Sequence, residues 1–486
     1  MKKLIYLICS ISLLALSSCE DFLNLNPTNA ASSENAINTA DDARVMINGI
    51  MRNMTSSSYY GRNFFLYGDV KGGDVTIVSQ GRGNDALYSF NHSATSNSYS
   101  GYWSQIYYCL LQINNLIANI DRMDAAGNSS STLTDYKAQA LTLRALMYFD
   151  LVRLYGKSYT LDKGASLGVP MPLTVLNVYA QETRKTVAEN YTQILKDLND
   201  AAPLFAGKNV TKGYVNYYTC KAILARVYLT MGNNAGALAA AEEIINDKKY
   251  SLYANDKWVA SWSSEFGSES IFELGIYPDE ADLGTGSLGY YFMRSRKVTN
   301  AMGYFVASDY FIQRLAEDPT DIRHGIMDYD EISVTRFGAC NKYTGNDNKG
   351  DKGSPSAVNI KVIRLSEIYL IAAEAAWETD KAKAADYLNQ IRKRATELEP
   401  ATASTVTPDM ILDEKSREFY GEGQRYFDLL RLGRSIEFND EIVGTISASV
   451  RPKVIDTKAF YKAVLPISKA ELDANPALAS QQNPGY

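Results

Sequence analysis

Histidine is almost absent from this sequence. His92 and His324 are the two histidines among 486 residues. Because imidazole supplies most zinc ligands and the side chain that titrates nearest neutral pH, this scarcity excludes most histidine-based metal sites and catalytic triads. We therefore expect any function to depend on other side chains, and we expect no cofactor and no bound metal.

Cysteine is also sparse. Cys9 and Cys19 lie near the N-terminus, which leaves Cys109, Cys220 and Cys340 in the rest of the chain. Three is an odd number for a disulfide framework, and the spacing matches no zinc site. Since Cys109 and Cys220 lie in apolar stretches of helical periodicity, we expect buried free thiols.

An excess of positive charge is missing too. The chain has 49 Lys and Arg against 55 Asp and Glu, for a net charge of −6, and contains no basic block. Such a chain is a poor candidate for binding a nucleic-acid backbone. The 46% hydrophobic and 21% charged residues are ordinary for a globular protein and exclude disorder for most of the chain.

The common catalytic motifs are absent as well. No GxSxG, HExxH or phosphate-binding loop occurs, since Gly156-Lys157-Ser158 has Leu151 where the upstream glycine would stand. The acids and amides of 347–351 lack the spacing and final glutamate of a calcium loop. A glycosidase pair built from distant carboxylates stays open, because sequence spacing cannot exclude it. We expect a binding protein and not an enzyme.

The sequence has one long apolar run, at its N-terminus. Lys2 and Lys3 precede the run from Leu4 to Leu16, which is too short to span a bilayer and is typical of a signal peptide. Leu16-Ser17-Ser18-Cys19 follows and looks like a bacterial lipobox. We predict a lipoprotein signal peptide over residues 1–18, lipidation of Cys19 and a polar tether over 19–33. The alternative is a plain secretory signal with an incidental cysteine.

Helical periodicity dominates the remaining sequence. Residues 133–155 carry a regular apolar face, preceded by a capping box that we assign to Thr132 and Asp135. Thr186 and Glu189 form the same pattern before the next helix.

Three further helix pairs follow this pattern. The pair 214–231 and 235–247 has the length of a tetratricopeptide unit. Residues 364–378 and 381–396 form a second pair, and 408–434 predict a third.

Two regions interrupt the helices. Residues 55–104 are rich in Ser, Gly, Asn and Tyr, and residues 250–362 contain glycine-rich loops and a strand-like run at Ser270–Ile276. Long loops on a helical scaffold are often functional. We therefore look for a binding site in these two regions.

With these features the chain resembles the SusD/RagB family of outer-membrane nutrient-binding lipoproteins of Bacteroidetes. The resemblance covers essentially the whole chain. It is carried, in order, by the lipobox with acidic residues after Cys19, which resembles a surface-export signal, by RALMYFDLVRLYG (144–156), TKGYVNYYTCKAILARVYLTMGN (211–233), Asp321-Ile322-Arg323, RLSEIYLIAAEAAW (364–377), SREFYGEGQRYFDLLRLGR (416–434) and the terminal LPISKAELDANPALASQQNPGY (465–486).

The resemblance implies a mainly α fold of degenerate tetratricopeptide-like repeats with irregular loop-rich insertions. It implies an N-terminal half over 34–265 and a C-terminal half over 266–486, packed as one globular unit. It also implies a lipid anchor in the outer membrane facing the cell surface, and a partner, a SusC-like TonB-dependent transporter that receives the ligand. Family ligands are mostly oligosaccharides, and RagB-like members take oligopeptides. A protein-interaction scaffold or adhesin is a further alternative.

The resemblance places the ligand surface in the two irregular regions. Aromatic faces can stack on sugar rings, and polar side chains can pair with hydroxyls. The first region offers Tyr59, Tyr60, Phe64, Tyr67, Asp69, Asp74, Arg82, Asn84, Tyr88, Asn97, Tyr99 and Trp103. The second offers Tyr290, Tyr291, Phe292, Arg294 and Tyr304. Trp103 fits packing as well as binding, and the loop before Tyr290 and Tyr291 predicts an exposed tip.

The most distinctive motif residues have a structural interpretation instead. Arg417, Glu418, Arg425, Tyr426, Asp428 and Arg431 alternate charge along helix faces. We predict that they form a buried or half-buried ion network that fixes helix packing. The segment Asn483 to Tyr486 is predicted to be an anchored C-terminus and not a binding site.

Overall fold

The computed structural model describes eight stretches of the chain. They are residues 37–81, 85–95, 100–177, 179–277, 284–294, 301–345, 357–444 and 446–486. The predicted signal peptide over 1–18, the lipidated Cys19 and the tether over 19–33 lie outside them. In these stretches no helix has both the length and the apolar character needed to cross a membrane.

Helices form the framework of the described chain, as the sequence predicts. They are α1 (Ala40–Met54), α2 (Asn63–Val70), α3 (Asp85–Tyr88), α4 (Ser100–Ala125), α5 (Ser131–Tyr155), α6 (Tyr159–Asp162), α7 (Val187–Ala201), α8 (Tyr217–Thr230), α9 (Asn234–Asp247), α10 (Asn255–Trp258), α11 (Leu288–Phe292), α12 (Asp309–Leu315), α13 (Leu365–Ala376), α14 (Lys381–Arg392), α15 (Pro408–Phe419), α16 (Arg425–Arg431) and α17 (Lys469–Ala474). The mainly α fold class is confirmed.

The strands are short. They are β1 (Val75–Ile77), β2 (Ser270–Leu274), β3 (Phe305–Ala307), β4 (Met327–Asp328), β5 (Ala339–Cys340), β6 (Ile360–Arg364), β7 (Ile436–Glu437) and β8 (Val454–Ile455). Within the described stretches they form antiparallel pairs, β1 with β3, β2 with β6, β4 with β5 and β7 with β8. The strand predicted from Ser270 is confirmed as β2.

Helix starts follow the capping chemistry of the sequence in most cases. Thr186 and Glu189 form the predicted capping box of α7. The box predicted at Thr132 and Asp135 is wrong, because α5 begins earlier and the Ser130 hydroxyl accepts from the Leu133 amide instead. Three possible caps in succession, at 130–132, make such a boundary hard to assign from sequence.

The predicted repeat units pack as helix pairs. Helix α8 lies against α9, α13 lies against α14, and α9 packs on α13, which stacks the two units. The close approach within the first unit depends on a missing side chain. A Cβ on Gly236 would stand 2.9 Å from the ring of Tyr228.

Two sequence assignments need correction. Residues 55–104 were expected to be irregular, yet they contain the helix α2, whose residues from Phe64 to Val70 are buried. Trp103, which belongs to the same region, lies inside the long helix α4. An apolar run of eight residues has no clear period, so its length and composition gave no helical signal. The prediction for Cys109, Cys220 and Cys340 is confirmed, since all are free and buried.

A buried ion cluster connects the elements of the C-terminal half. Its members are Glu269, Asp321, Arg323, Lys342, Arg364, Arg394, Glu414, Glu418 and Glu422, whose side chains are at most 6% exposed. Arg364, at the end of β6, contacts Glu418 at 2.9 Å and Glu422 at 2.7 Å. Arg323 contacts Glu414 at 2.6 Å. The cluster ties β6 and α15 to five other segments of the chain, which carry the remaining members.

The cluster confirms the predicted ion network and extends it. Arg417 contacts Glu414 at 3.4 Å, and Arg431 contacts Glu374 and Asp428 at 2.5 Å. Burial alone would raise the pKa of Glu418, but the guanidinium groups of Arg394, Arg364 and Arg323 hold that pKa well below its ordinary value. The carboxylate is therefore charged in the interior.

We expect Glu418→Gln to lower the free energy of unfolding by about 3–5 kcal/mol, because it leaves buried guanidinium groups without their counter-charge. Urea denaturation at neutral pH measures this loss. Asp409→Asn on the same helix is the matched control. Asp409 pairs with Arg434 at the surface, where the two side chains are 71% and 46% exposed, and its loss should cost less than about 1 kcal/mol. Equal small effects would contradict a supporting role for the cluster.

The C-terminal segment is anchored, as predicted. Asn483 Nδ2 donates to the carbonyls of Tyr155 and Leu465 at 2.8 and 2.7 Å. The Tyr486 hydroxyl donates to the Val464 carbonyl at 2.8 Å and lies 2.9 Å from His92 Nδ1.

His92 is itself buried beside a buried lysine. Its Nε2 lies 3.1 Å from Lys71 Nζ, which sits 3.9 Å from the centre of the Phe90 ring. Since the Tyr486 hydroxyl donates to the Val464 carbonyl, we assign the neutral tautomer of His92 in which Nδ1–H donates to the Tyr486 oxygen and Nε2 accepts from Lys71. Burial, with the charges of Lys71 and Lys462, lowers the pKa of His92 well below its ordinary value.

This burial predicts a loss of stability in mild acid. Below about pH 6.5 the unfolded chain binds a proton at His92 and the folded chain does not. The free energy of unfolding therefore decreases as the pH is lowered, by up to about 1.4 kcal/mol per pH unit. Urea denaturation between about pH 7.5 and 5 should show a steeper loss for the native chain than for His92→Gln, which keeps an acceptor for Lys71 but does not titrate. Parallel losses would contradict the prediction.

Candidate functional site

The two irregular regions singled out by the sequence meet in one short sheet. Strand β1 pairs with β3 in the register Val75 to Ala307 and Ile77 to Phe305. The ladder continues past the strands, where the amide of Val78 donates to the carbonyl of Tyr304 at 3.2 Å. Segments more than 200 residues apart are thus held side by side.

The loop before β3 is folded back onto helix α11. The amides of Met302 and Gly303 donate to the Tyr290 carbonyl at 2.7 and 3.1 Å. The Tyr304 amide donates to the Tyr291 carbonyl at 2.9 Å, and the Tyr304 hydroxyl donates to the Ser79 carbonyl at 2.5 Å. These bonds fix Tyr290 beside the end of β1.

A third segment completes this part of the surface. Thr76 Oγ1 donates to the Asn439 carbonyl at 3.0 Å, and the Tyr88 hydroxyl donates to Asp440 at 2.7 Å. Gln80 Nε2 donates to the Val443 carbonyl at 3.3 Å. The loop after β7 therefore borders the β1 and β3 pair.

We call the resulting surface the β1–β3 face. Its half-buried and exposed residues are Val78, Ser79, Gln80, Gly81, Tyr290, Arg294, Ala301, Met302, Val443 and Gly444. These residues include a tyrosine, an arginine, a glutamine and a methionine, and the segments that carry them are joined by hydrogen bonds. Such a set can stack on an apolar ring face and exchange hydrogen bonds with hydroxyl or amide groups.

Arg294 is held firmly at this face. Its Nη1 donates to the Gly303 carbonyl at 2.5 Å, and its Nη2 lies 3.1 Å from Glu331. The side chain is 17% exposed. Its position is thus set by the same loop that positions Tyr290.

Most of the other predicted site residues lie in the interior. Tyr59 and Tyr60 are buried, and both hydroxyls donate to one oxygen of Asp150, at 2.5 and 2.6 Å. Burial, and then the charge of Asp150, raises the pKa of each tyrosine well above its ordinary value. Tyr67 is also buried, and its hydroxyl donates to the Ala463 carbonyl at 3.4 Å. Phe64 packs on Tyr59, with 5.7 Å between ring centres.

The two predicted carboxylates are buried as well. Asp69 accepts from the Gly423 amide at 2.9 Å, and burial raises its pKa well above its ordinary value. Asp74 contacts Arg314 at 2.9 Å and Arg425 at 3.2 Å. Burial would raise the pKa of Asp74, but Arg425 and Arg314 outweigh it and the pKa is lowered. Both carboxylates fix neighbouring loops.

The remaining aromatic candidates also pack inside. Trp103 is 6% exposed and stands edge-on to Tyr155 at 4.9 Å between ring centres. Tyr291 is 8% exposed beneath the guanidinium of Arg62, which lies 4.7 Å from the ring centre, so the tip predicted to be exposed is only partly so. Tyr88 and Tyr304 are buried with bonded hydroxyls, as described above, and Phe292 is fully buried.

These burials give the side chains structural roles. A ligand could reach their rings only if they left the interior. Arg82, Asn84, Asn97 and Tyr99 lie outside the described residues. Of the predicted site residues, Tyr290 and Arg294 are those that the structure places on the β1–β3 face.

Sequence reasoning missed part of this face. Gln80 and Met302 lie near predicted residues but carry no motif, and Val443 and Gly444 lie in a segment for which the sequence predicted no role. The contact between Thr76 and the Asn439 carbonyl spans more than 360 residues. A local sequence pattern cannot predict a contact between residues so far apart in the chain.

The described parts of the chain were also searched for clusters of metal-binding side chains. No group of three His, Cys, Asp or Glu side chains there is arranged to hold a metal ion. The face as described can bind a ligand through its ring and polar groups.

Comparisons with known proteins agree along the whole chain. Two family models match: one described as the SusD family over residues 327–486, and one described as starch-binding and associating with the outer membrane over residues 21–229. Together they match a part of each half.

Individual relatives extend this likeness. The structure of a SusD superfamily protein from Bacteroides thetaiotaomicron superposes with a TM-score of 0.85 and 34% identity, over 92% of this chain and 100% of that one. SusD-like protein P2 from Formosa agariphila is 24% identical over 98% of both chains. The starch-binding protein SusD of B. thetaiotaomicron is 41% identical over 75 residues, which is 15% of this chain and 13% of that one.

Proposed function

The chain belongs to the SusD family, and from this membership we propose that it is a cell-surface lipoprotein that binds oligosaccharides and delivers them to a SusC-like TonB-dependent transporter in the outer membrane. The observation that carries the proposal is the β1–β3 face. It is supported by Tyr290 and Arg294, two residues that the sequence predicts as ligand contacts, because both are half-buried and both are hydrogen-bonded to the loop before β3.

The chemistry of the face suits a sugar. A pyranose ring has an apolar face of C–H groups that packs on a tyrosine ring, and its hydroxyls both donate and accept hydrogen bonds. Tyr290 offers the ring, and Gln80 and Arg294 offer polar groups. No bond has to form or break, so the mechanism is capture and release without catalysis.

Delivery to a transporter sets a limit on affinity. A ligand that must leave again should bind with a dissociation constant between about micromolar and millimolar, or about −8 to −4 kcal/mol. The short ladder of β1 and β3 keeps the face preorganised, so little binding energy is spent on ordering it.

The proposed anchor places the protein at the membrane without crossing it. Lipidation of Cys19 would hold the chain at the bilayer, and the tether over 19–33 would let the globular part move relative to it. The halves over 34–265 and 266–486 are proposed to act as one unit, since β1 from the first pairs with β3 from the second.

We expect Tyr290→Ala to weaken oligosaccharide binding by at least about tenfold, because it removes a stacking surface worth about 1.4 kcal/mol or more. Thermal-shift screening of residues 20–486 against oligosaccharides and mixed oligopeptides identifies the ligand, and calorimetry then measures the loss.

Tyr179→Ala is the matched control, because Tyr179 is 88% exposed in a different segment. Its binding should equal that of the native chain. A hit among peptides alone would move the protein to the RagB-like branch. Unchanged glycan binding in Tyr290→Ala would remove the β1–β3 face from the proposal.

The anchor is tested in the cells that make the protein. We expect Cys19→Ala to remove the protein from the outer-membrane fraction, because the lipid that would anchor it there is lost. In intact cells, added protease should digest the native protein, and an affinity tag on it should recover a TonB-dependent transporter. Retention of Cys19→Ala in the membrane fraction would contradict lipid anchoring.

A further inference from the structure

A carboxylate from a separate segment meets the β1–β3 face. The loop between β4 and β5 carries Glu331, whose Oε2 lies 3.1 Å from Nη2 of Arg294. The side chain of Glu331 is 31% exposed and that of Arg294 is 17% exposed, so both charges can be reached from solvent. Sequence analysis did not select Glu331, because it lies 37 residues after Arg294 and belongs to no motif.

The position of Arg294 depends on a glycine. A Cβ on Gly303 would stand 2.3 Å from Arg294 Cδ, so no larger residue fits against this side chain. The Gly303 carbonyl accepts from Arg294 Nη1, and the Gly303 amide donates to the Tyr290 carbonyl. A single residue therefore positions both the tyrosine and the guanidinium group of the face.

The loop that carries Glu331 is fixed as well. Asp330 is fully buried, accepts from the Ile332 amide at 3.0 Å and forms an ion pair with Arg336. Arg336 in turn contacts Asp309, the first residue of α12, at 3.0 Å. The residues on both sides of Glu331 are thus held by the bonds of Asp330, and the carboxylate of Glu331 is held close to Arg294.

The backbone of Glu331 is unusual. Its φ is +64°, in the left-handed region that glycine and asparagine adopt more readily than glutamate. Such a conformation costs free energy and is found most often where a side chain has a function. Glycine or asparagine would relieve the strain, but neither could supply a carboxylate to Arg294.

An ion pair on a binding surface affects charged and neutral ligands differently. A carboxylate 3.1 Å from a guanidinium group cancels most of the attraction of that group for an anion, and it repels the anion directly. A neutral ligand meets no such repulsion. Its hydroxyl or amide groups can donate to the carboxylate oxygens and accept from the guanidinium N–H groups.

We propose that Glu331 is a specificity-determining residue of the β1–β3 face, which lowers the affinity of the face for anionic ligands and leaves it suited to neutral ones. The inference rests on the proposed function, because it concerns the ligand of the same face. It adds which ligands of that class the face rejects, and which side chain rejects them.

The test compares ligands that differ in charge alone. Calorimetry measures the binding of hexasaccharides of glucose, mannose and galactose, and of the matching uronates, in which each primary alcohol is replaced by a carboxylate. The proteins span residues 20–486 and are the native chain, Glu331→Gln, Arg294→Gln and the combination of both changes. Glutamine keeps the size of glutamate and an acceptor oxygen, so Glu331→Gln should fold like the native chain. Glu378→Gln, which removes an exposed carboxylate just after α13, is the matched control.

We expect Glu331→Gln to bind at least one uronate about fivefold more tightly than the native chain does, and to bind the neutral counterpart within about twofold of the native affinity. The gain should shrink between about 0.05 and 1 M salt, because mobile ions screen an exposed charge. In the Arg294→Gln background the gain should be at most about twofold, since the guanidinium charge is then missing. Glu378→Gln should bind both ligands as the native chain does.

Equal binding of every uronate by the native chain and by Glu331→Gln would overturn the inference, and binding of a neutral hexasaccharide would then leave the proposed function in place. A native chain that prefers a uronate to its neutral counterpart would also overturn it. So would an undiminished gain in the Arg294→Gln background, or a parallel loss of both kinds of ligand in Glu331→Gln, which is the result of a purely structural role. No binding of any hexasaccharide to any of these proteins would overturn the proposed function and this inference together.

Discussion

The buried ion cluster around Arg364 and Glu418 is the constraint on which the rest of the C-terminal half depends. Charges removed from water are tolerable only when each has a close partner, and here Arg323 and Arg364 reach from other segments to the carboxylates of α15. Helix α15 therefore cannot shift without leaving several guanidinium groups unpaired. The cluster therefore fixes the position of β6 relative to α15.

The β1–β3 face is connected to the helix α15 of this cluster through a second set of ion pairs. Asp74, just before β1, is held by Arg314 and Arg425, and Arg314 also reaches Asp413 on α15 at 2.9 Å. The start of β1 is therefore fixed to the helix that carries Glu418. A loop-rich surface becomes a defined site because the short strands that support it are tied to charged helices.

Much of the framework was readable from the sequence, because it follows from local chemistry. The capping box of Thr186 and Glu189, the helix pairs of 214–247 and 364–396, and the ionic role of Arg417 and Arg431 all depend on spacing within a few turns. The residues of the candidate site were harder to predict from the sequence. Tyrosine serves core and surface equally, so composition could not separate buried Tyr59 and Tyr60 from half-exposed Tyr290. The contribution of Val443 depends on a contact with Gln80 across most of the chain.

The three buried thiols offer a way to watch this architecture open. Cys109 lies on α4, Cys220 on α8 and Cys340 on β5, so each marks a different part of the molecule. Burial raises the pKa of all three, to about 12, about 12 and about 11, which keeps the reactive thiolate scarce. An alkylating reagent can therefore label each cysteine only when its surroundings unfold. The order in which the three become labelled is an intrinsic record of which region loosens first, with no probe added to the chain.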